Sequence, residues 1–176
     1  MALAAASGDR AAVTAFVRRT QPEVWRACAR LGDRAEADDL AQEVYLRALP
    51  ALGRFRGDAS ARTWLLQIVR HVCADHVRRT SRRRALVQRI VQRADPADAH
   101  PARTGEVDLE DAIGALDEDR RAAFVLTQVL GLSYAEAAEA CEVPVGTIRS
   151  RVARARSDLL GALSVDLEPE VAPGGS

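Results

Sequence analysis

No stretch of this chain alternates apolar and polar residues between hairpin turns, and that absence narrows the fold more than any other feature. A half-buried strand repeats every two residues, whereas an amphipathic helix repeats every 3.6. Here apolar residues recur at helical spacing, as in Val13, Phe16 and Val17. Hydrophobic residues make up 48% of the 176, enough for a core, and aromatic ones only 4%. A scarcity of aromatic and β-branched side chains favours helix over sheet. An all-α fold is expected, at a length that suits one ordinary domain or two small ones.

The charges balance, with 25 basic and 25 acidic residues, so global attraction to nucleic acid is not expected. Every basic residue is arginine. Its planar fork suits phosphate and guanine better than lysine does, although a GC-rich coding sequence gives the same bias. Cys28, Cys73 and Cys141 stand apart, and His71, His76 and His100 complete no ligand set. No metal, cofactor or disulfide framework is expected. The opening "MALAAASGD" lacks the basic start and apolar stretch of a signal peptide, and no apolar run is long enough for a membrane span. A cytoplasmic chain without a membrane partner is expected.

Charge is unevenly spread. "RRTSRRRALVQRIVQR" is basic, and the acidic "ADPADAHPARTGEVDLEDAIGALDED" that follows carries turn residues. This shift predicts a flexible linker over 84–105 between helical domains at 1–83 and 106–164, with a tail over 165–176. The first domain should hold four helices. They span Asp9 to Thr20, Pro22 to about Gly32, a third to Leu49 opened by the capping-box pattern "DRAE", and Ser60 to Arg79 or a little beyond. The second should hold helices over Val107–Leu116, Asp119–Leu130, Tyr134–Cys141 and Pro144–Leu163, with "SYAE" as another capping box and Gly131 as a stop.

The stretch "EVPVGTIRSRVARARSDLL" is the most telling. A short helix, a tight turn and a longer helix make a helix-turn-helix. At 100° per residue, Val145, Ile148, Val152, Ala155 and Leu159 share one face. Gly146, Ser150, Ala153 and Ser157 lie opposite, bordered by Arg149 and Arg154. Glycine inside a helix costs up to about 1 kcal/mol against alanine. A bare first turn is useful where a DNA phosphate must approach the N–H groups. Such helices enter the major groove by their N-terminal end, where arginine pairs with guanine and a small methyl meets thymine. The plain alternative is an amphipathic helix with a solvated basic face.

"GLSYAEAAEACEVPVGTIRSRVARAR" resembles region four of an extracytoplasmic-function σ factor of bacterial RNA polymerase. "DRAEADDLAQEVYLRAL" and "FRGDASARTWLLQIVRHVCADHVRR" resemble region two, in the expected order. The resemblance implies a non-enzymatic subunit whose partners are promoter DNA and core polymerase. Region two of the family binds the clamp helices of the largest subunit and melts the minus-ten element. Region four binds the β-flap and reads the minus-thirty-five element, here through Gly146, Thr147, Arg149, Ser150, Ala153 and Arg154. An anti-σ protein is a further partner that the resemblance allows and the sequence does not decide.

By the same resemblance, Asp38, Asp39, Gln42 and Glu43 form the polymerase-binding patch. Acidic groups suit a basic partner, and like charges four apart on a helix ask for a reason. The minus-ten surface takes in Phe55 and Arg56 on the loop, then Arg62, Trp64, Gln67, Arg70, His71 and Arg78. On the fourth helix, Leu65, Ile68, Val69 and Val72 should be buried, with Cys73 and His76 beside them. Thr63, Gln67, Arg70, His71, Ala74 and Arg78 should form the open face for a single DNA strand. The loop resembles the family's pocket for a flipped base. Trp64, on the border, reads chiefly as core. His71 stands where the family often has asparagine, and Ala153 is small for a groove reader. The rival reading is a stand-alone helix-turn-helix regulator. An enzyme is disfavoured, since no nucleophile–base pair, phosphate loop or HExxH motif is present.

Overall fold

The computed structural model describes residues 2–57, 60–94 and 109–164, and every regular element among them is helical. Helices α1 (Ala2–Ala6), α2 (Arg10–Leu31), α3 (Ala37–Leu52) and α4 (Ala61–Ala94) form an N-terminal block. Helices α5 (Leu109–Ala115), α6 (Glu118–Phe124), α7 (Tyr134–Cys141) and α8 (Val145–Ser164) form a C-terminal one. Helix α6 runs on into a π-helical turn, Val125–Val129.

The N-terminal block departs from the expected boundaries. Helix α2 is continuous where a break was expected before Pro22. The Asp9 carboxylate caps it, accepting from the N–H groups of Ala11 and Ala12 at 2.8 and 3.2 Å. An internal proline costs about 3 kcal/mol. Burial of Phe16 before it and of Val24, Ala27 and Leu31 after it offsets that cost. Helix α3 likewise passes through Pro50, because Ala48 and Leu52 are buried on the same side. The "DRAE" box does not form. Asp33 accepts from the Ala35 N–H at 2.9 Å in a turn, and Glu36 makes no side-chain cap. Helix α1 was not foreseen in the sequence.

Helix α4 continues past Arg83 to Ala94, so the first part of the expected linker is helical. The rest of that linker from residue 95, and the expected tail, lie outside the described residues.

The C-terminal block follows its pattern closely. The Ser133 hydroxyl accepts from the Glu136 N–H at 3.2 Å, and the Glu136 carboxylate accepts from the Ser133 N–H at 2.8 Å, completing the capping box. Gly131 has φ +70°, a left-handed turn that suits glycine. On α8, Ile148, Val152, Ala155 and Leu159 are buried as expected.

Buried side chains of both blocks join in one contiguous core. Cys28 and Cys73 meet inside it, and their contact together with burial pushes the Cys73 thiol well above the ordinary range, which leaves it unreactive. Gly32 ends α2 beside this pair. A Cβ there would lie 2.5 Å from Leu40 Cδ1 and 3.0 Å from the Cys28 carbonyl oxygen. Gly32→Ala is therefore expected to destabilise the protein by about 1–3 kcal/mol through overpacking, read as a lowered Tm. An unchanged Tm would show that Leu40 swings aside freely.

Candidate nucleic-acid and polymerase interfaces

The four arginines of α8 divide into two kinds. Arg151 bonds the Asp119 carboxylate, and Arg156 donates to Gln128 Oε1 at 2.7 Å. Both are held by their own block. Arg149 and Arg154 are exposed and join no hydrogen bond or ion pair among the described residues. They flank Gly146, Ser150 and Ala153, all exposed, and Thr147, which is half-buried. A Cβ on Gly146 would meet nothing within 4 Å, so packing does not require glycine there. The face that results is small, open and edged by two unengaged guanidinium groups. Its chemistry suits a phosphate at the helix start and base edges beyond.

The α4 surface is different. Leu65, Leu66, Val69 and Val72 are buried in the core, with Ile68 half-buried. The opposite face, expected to be open, is covered by the C-terminal block, so Thr63 and Ala74 are buried as well. Arg62 forks between the Glu23 carboxylate, 2.9 Å from Nε, and the Leu130 carbonyl. The glutamate raises the guanidinium pKa further above its ordinary value. Arg70 donates to the Ala140 carbonyl at 3.2 Å, and its Nη2 lies 3.4 Å from Glu142. His71 lies 3.2 Å from the same carboxylate. Arg78 spans Asp75 at 2.8 Å and Glu118 at 3.2 Å. At the far end, Glu110 pairs with Arg30 at 2.6 Å and Arg34 at 3.2 Å. Four of the expected minus-ten residues thus bind protein, and Gln67 is half-buried beside them.

On the loop, Phe55 and Trp64 pack with ring centroids 5.4 Å apart at 51°, and both are half-buried against the core. Arg56 is exposed, and Asp58 and Ala59 of the expected pocket lie outside the described residues. On α3, Asp38, Asp39 and Gln42 are exposed. Asp38 accepts from the indole N–H of Trp25 at 3.1 Å. Glu43 pairs with Arg47 at 2.8 Å, and Arg47 reaches on to Asp75. Asp39 joins no ion pair among the described residues, which leaves its charge for a partner.

Sequence reasoning did not find Arg121, 7% exposed inside the C-terminal block, or the interface roles of Glu118 and Glu142. No local periodicity marks contacts between residues 40 to 72 positions apart.

Comparison with known proteins places these surfaces in a family frame. Residues 16–83 match the model of Sigma-70 region 2, and residues 106–159 that of Sigma-70 region 4. The chain is 50% identical over 173 residues to the ECF RNA polymerase sigma factor SigC of Mycobacterium tuberculosis, covering 97% of this chain and 91% of that one. It is 37% identical over 145 residues to EcfG of Rhodopseudomonas palustris, covering 81% and 79%. Among solved structures, CnrH in complex with the cytosolic domain of CnrY matches with a TM-score of 0.71 at 28% identity, over 94% of this chain and 96% of that one. The sigma factor RpoE of Bartonella quintana, solved with the anti-sigma factor NepR, matches with a TM-score of 0.67 at 29% identity, over 88% and 98%.

The pairs between the blocks are mostly exposed, and such pairs contribute only about 0–1 kcal/mol each. Losing one pair should change little, whereas reversing two acids at once sets repulsion across the seam and works against the apolar core that the blocks share. Glu118→Arg with Glu142→Arg sets like charge against Arg70, His71 and Arg78. The expected result is a larger radius of gyration by small-angle X-ray scattering at unchanged helical content, and an unchanged radius would refute it.

Proposed function

The chain belongs to the σ70 family, in its extracytoplasmic-function branch, and on that footing we propose how its surfaces share the work. It directs promoter recognition, promoter melting and transcription initiation as a subunit of the RNA polymerase holoenzyme. Catalysis belongs to the polymerase, and the factor works in the cytoplasm, where the polymerase does. Among the described residues no helix is long and apolar enough to cross a membrane.

The residues 1–83 serve as the region-two domain and 106–164 as the region-four domain. The observation that carries the assignment is the outer face of α8, where Arg149 and Arg154 are the arginines left unengaged. Arg149, nearer the helix start, reads a guanine edge of the minus-thirty-five element, and Arg154 holds phosphate. Asp38, Asp39, Gln42 and Glu43 meet the clamp helices. Phe55, Arg56, Arg62, Trp64, Gln67, Arg70, His71 and Arg78 take the minus-ten strand once the C-terminal block has moved off α4. The free protein therefore holds its melting surface shut, and docking on core polymerase sets the two DNA faces apart at promoter spacing. Two weak faces on one rigid partner bind through effective concentration. An anti-σ protein is a second partner class, supported by likeness to RpoE solved with NepR.

Asp39→Arg is expected to abolish co-purification with core polymerase at unchanged circular dichroism, because reversal sets like charge against a basic partner. Glu43→Arg is a poorer test, since it also breaks the pair with Arg47. Retained co-purification of Asp39→Arg would move the polymerase site elsewhere. Gly146→Ala should act in opposite directions on fold and function. Helix propensity predicts a gain in stability of up to about 1 kcal/mol, while the added methyl weakens holoenzyme binding to minus-thirty-five duplex. Equal or tighter DNA binding by that variant would overturn the close approach assigned to this turn.

A further inference from the structure

Between the two blocks lies a cavity of about 570 Å³, walled by α2, α4, α5 and α6. That volume suits a small-molecule ligand. Arg30, Arg34 and Arg84 reach it from the N-terminal block, with the hydroxyls of Thr80 and Ser81, and Arg121 reaches it from the C-terminal block. Three carboxylates, of Asp33, Glu110 and Asp111, and the His76 imidazole complete the polar wall. Glu110 lies across Arg30 and Arg34, so one acid answers two cations, and Asp33 accepts from the Ala35 N–H.

Arg121 is the unusual member. It is 7% exposed, and its Nη1 donates to the Gly114 carbonyl at 3.1 Å. It joins none of the ion pairs among the described residues. Burial pulls its pKa below the usual arginine value. Glu118 and Asp117 offset part of the cost of burying this charge without pairing with it, and the polar cavity it faces leaves room for an anion to offset the rest. No fully buried side-chain nitrogen lacks a partner, so the rest of this guanidinium fork is reached by solvent through the cavities it lines.

We propose that this cavity binds a compact polyvalent phosphate, and that the bound anion bridges the two blocks. Guanidinium forks match phosphate oxygens two at a time, and hydroxyls donate to the same oxygens. Among the described residues no Phe, Tyr or Trp lines the cavity, and the His76 imidazole lies 3.5 Å from the Glu36 carboxylate, so recognition falls chiefly on the phosphates. Glu110 shows on Arg30 and Arg34 what this wall holds. Because Arg84 and Arg121 come from different blocks, the site exists only in the closed arrangement. A ligand that binds one state alone stabilises that state. The anion therefore keeps the factor from polymerase, a control that adds to the proposed function and rests on the closure described there.

The probe is inorganic tripolyphosphate, titrated calorimetrically into the full chain without divalent metal, with sodium sulfate at matched ionic strength as control. The expected result is saturable one-to-one binding and a raised Tm, with sulfate giving neither. Arg84→Gln, an exposed change, should weaken binding at least tenfold, and Arg121→Gln should do the same if it folds. Arg154→Gln, on the outer face of α8, should leave binding intact. Tripolyphosphate should also lower capture by core polymerase for the parent chain and not for Arg84→Gln. Absence of saturable binding, or equal losses in Arg84→Gln and Arg154→Gln, overturns the site. Binding of a single-stranded oligonucleotide but not of tripolyphosphate overturns it too and makes the cavity a DNA surface. The Glu118→Arg, Glu142→Arg variant separates the two layers of argument. If its blocks part and it still binds the anion, the bridge is wrong. If the parent chain already has the radius of parted blocks, closure itself is at fault.

Discussion

Helix α4 has apolar side chains on one face and small or polar ones on the other, and both faces are occupied. On its apolar face it buries Leu65, Val69 and Val72. On the opposite side Thr63 and Ala74 are sealed beneath the C-terminal block. The first contact is apolar and holds the N-terminal block together. The second adds carbonyl oxygens and exposed ion pairs, each of modest strength, to the apolar core that both blocks share. A surface meant to hold a nucleic acid strand needs polar groups, and polar groups pair readily with another part of the same chain.

The arginines show how such a chain avoids indiscriminate binding. With 25 charges of each sign, the molecule offers no overall field to DNA. Arg62, Arg70 and Arg78 are answered by Glu23, Glu142 and Glu118 and by carbonyls, while Arg149 and Arg154 are not. A duplex meeting the closed molecule finds these three arginines of α4 engaged, while Arg79, Arg82 and Arg83 farther along that helix stay exposed along with the α8 face.

Much of this was legible in the sequence. The buried stripe of α8, the Ser133 cap and the order of helices in the C-terminal block follow from spacing alone, because each depends on neighbours within one or two turns. Boundaries failed where tertiary burial outweighed local preference. Pro22 and Pro50 lie inside helices because the residues around them reach one core. The open face expected on α4 failed for another reason. Its cover comes from Leu130, Ala140 and Glu142, 68 to 72 positions away, and nothing in the periodicity of either segment announces the meeting.

Glu142 sits at the turn between α7 and α8 with φ 56°, a left-handed conformation that costs least with glycine. Its N–H and that of Val143 close the end of α7, bonding Glu139 and Ala138 carbonyls at 3.1 and 3.0 Å. The same residue sends its carboxylate to Arg70 and His71. One codon thus governs two properties with opposite preferences. Selection for a sturdier turn pushes it toward glycine, and that exchange would leave every group on the outer face of α8 in place while removing one of the ties between the two halves. Variants of this chain that differ in basal activity could therefore arise without any change in what they read.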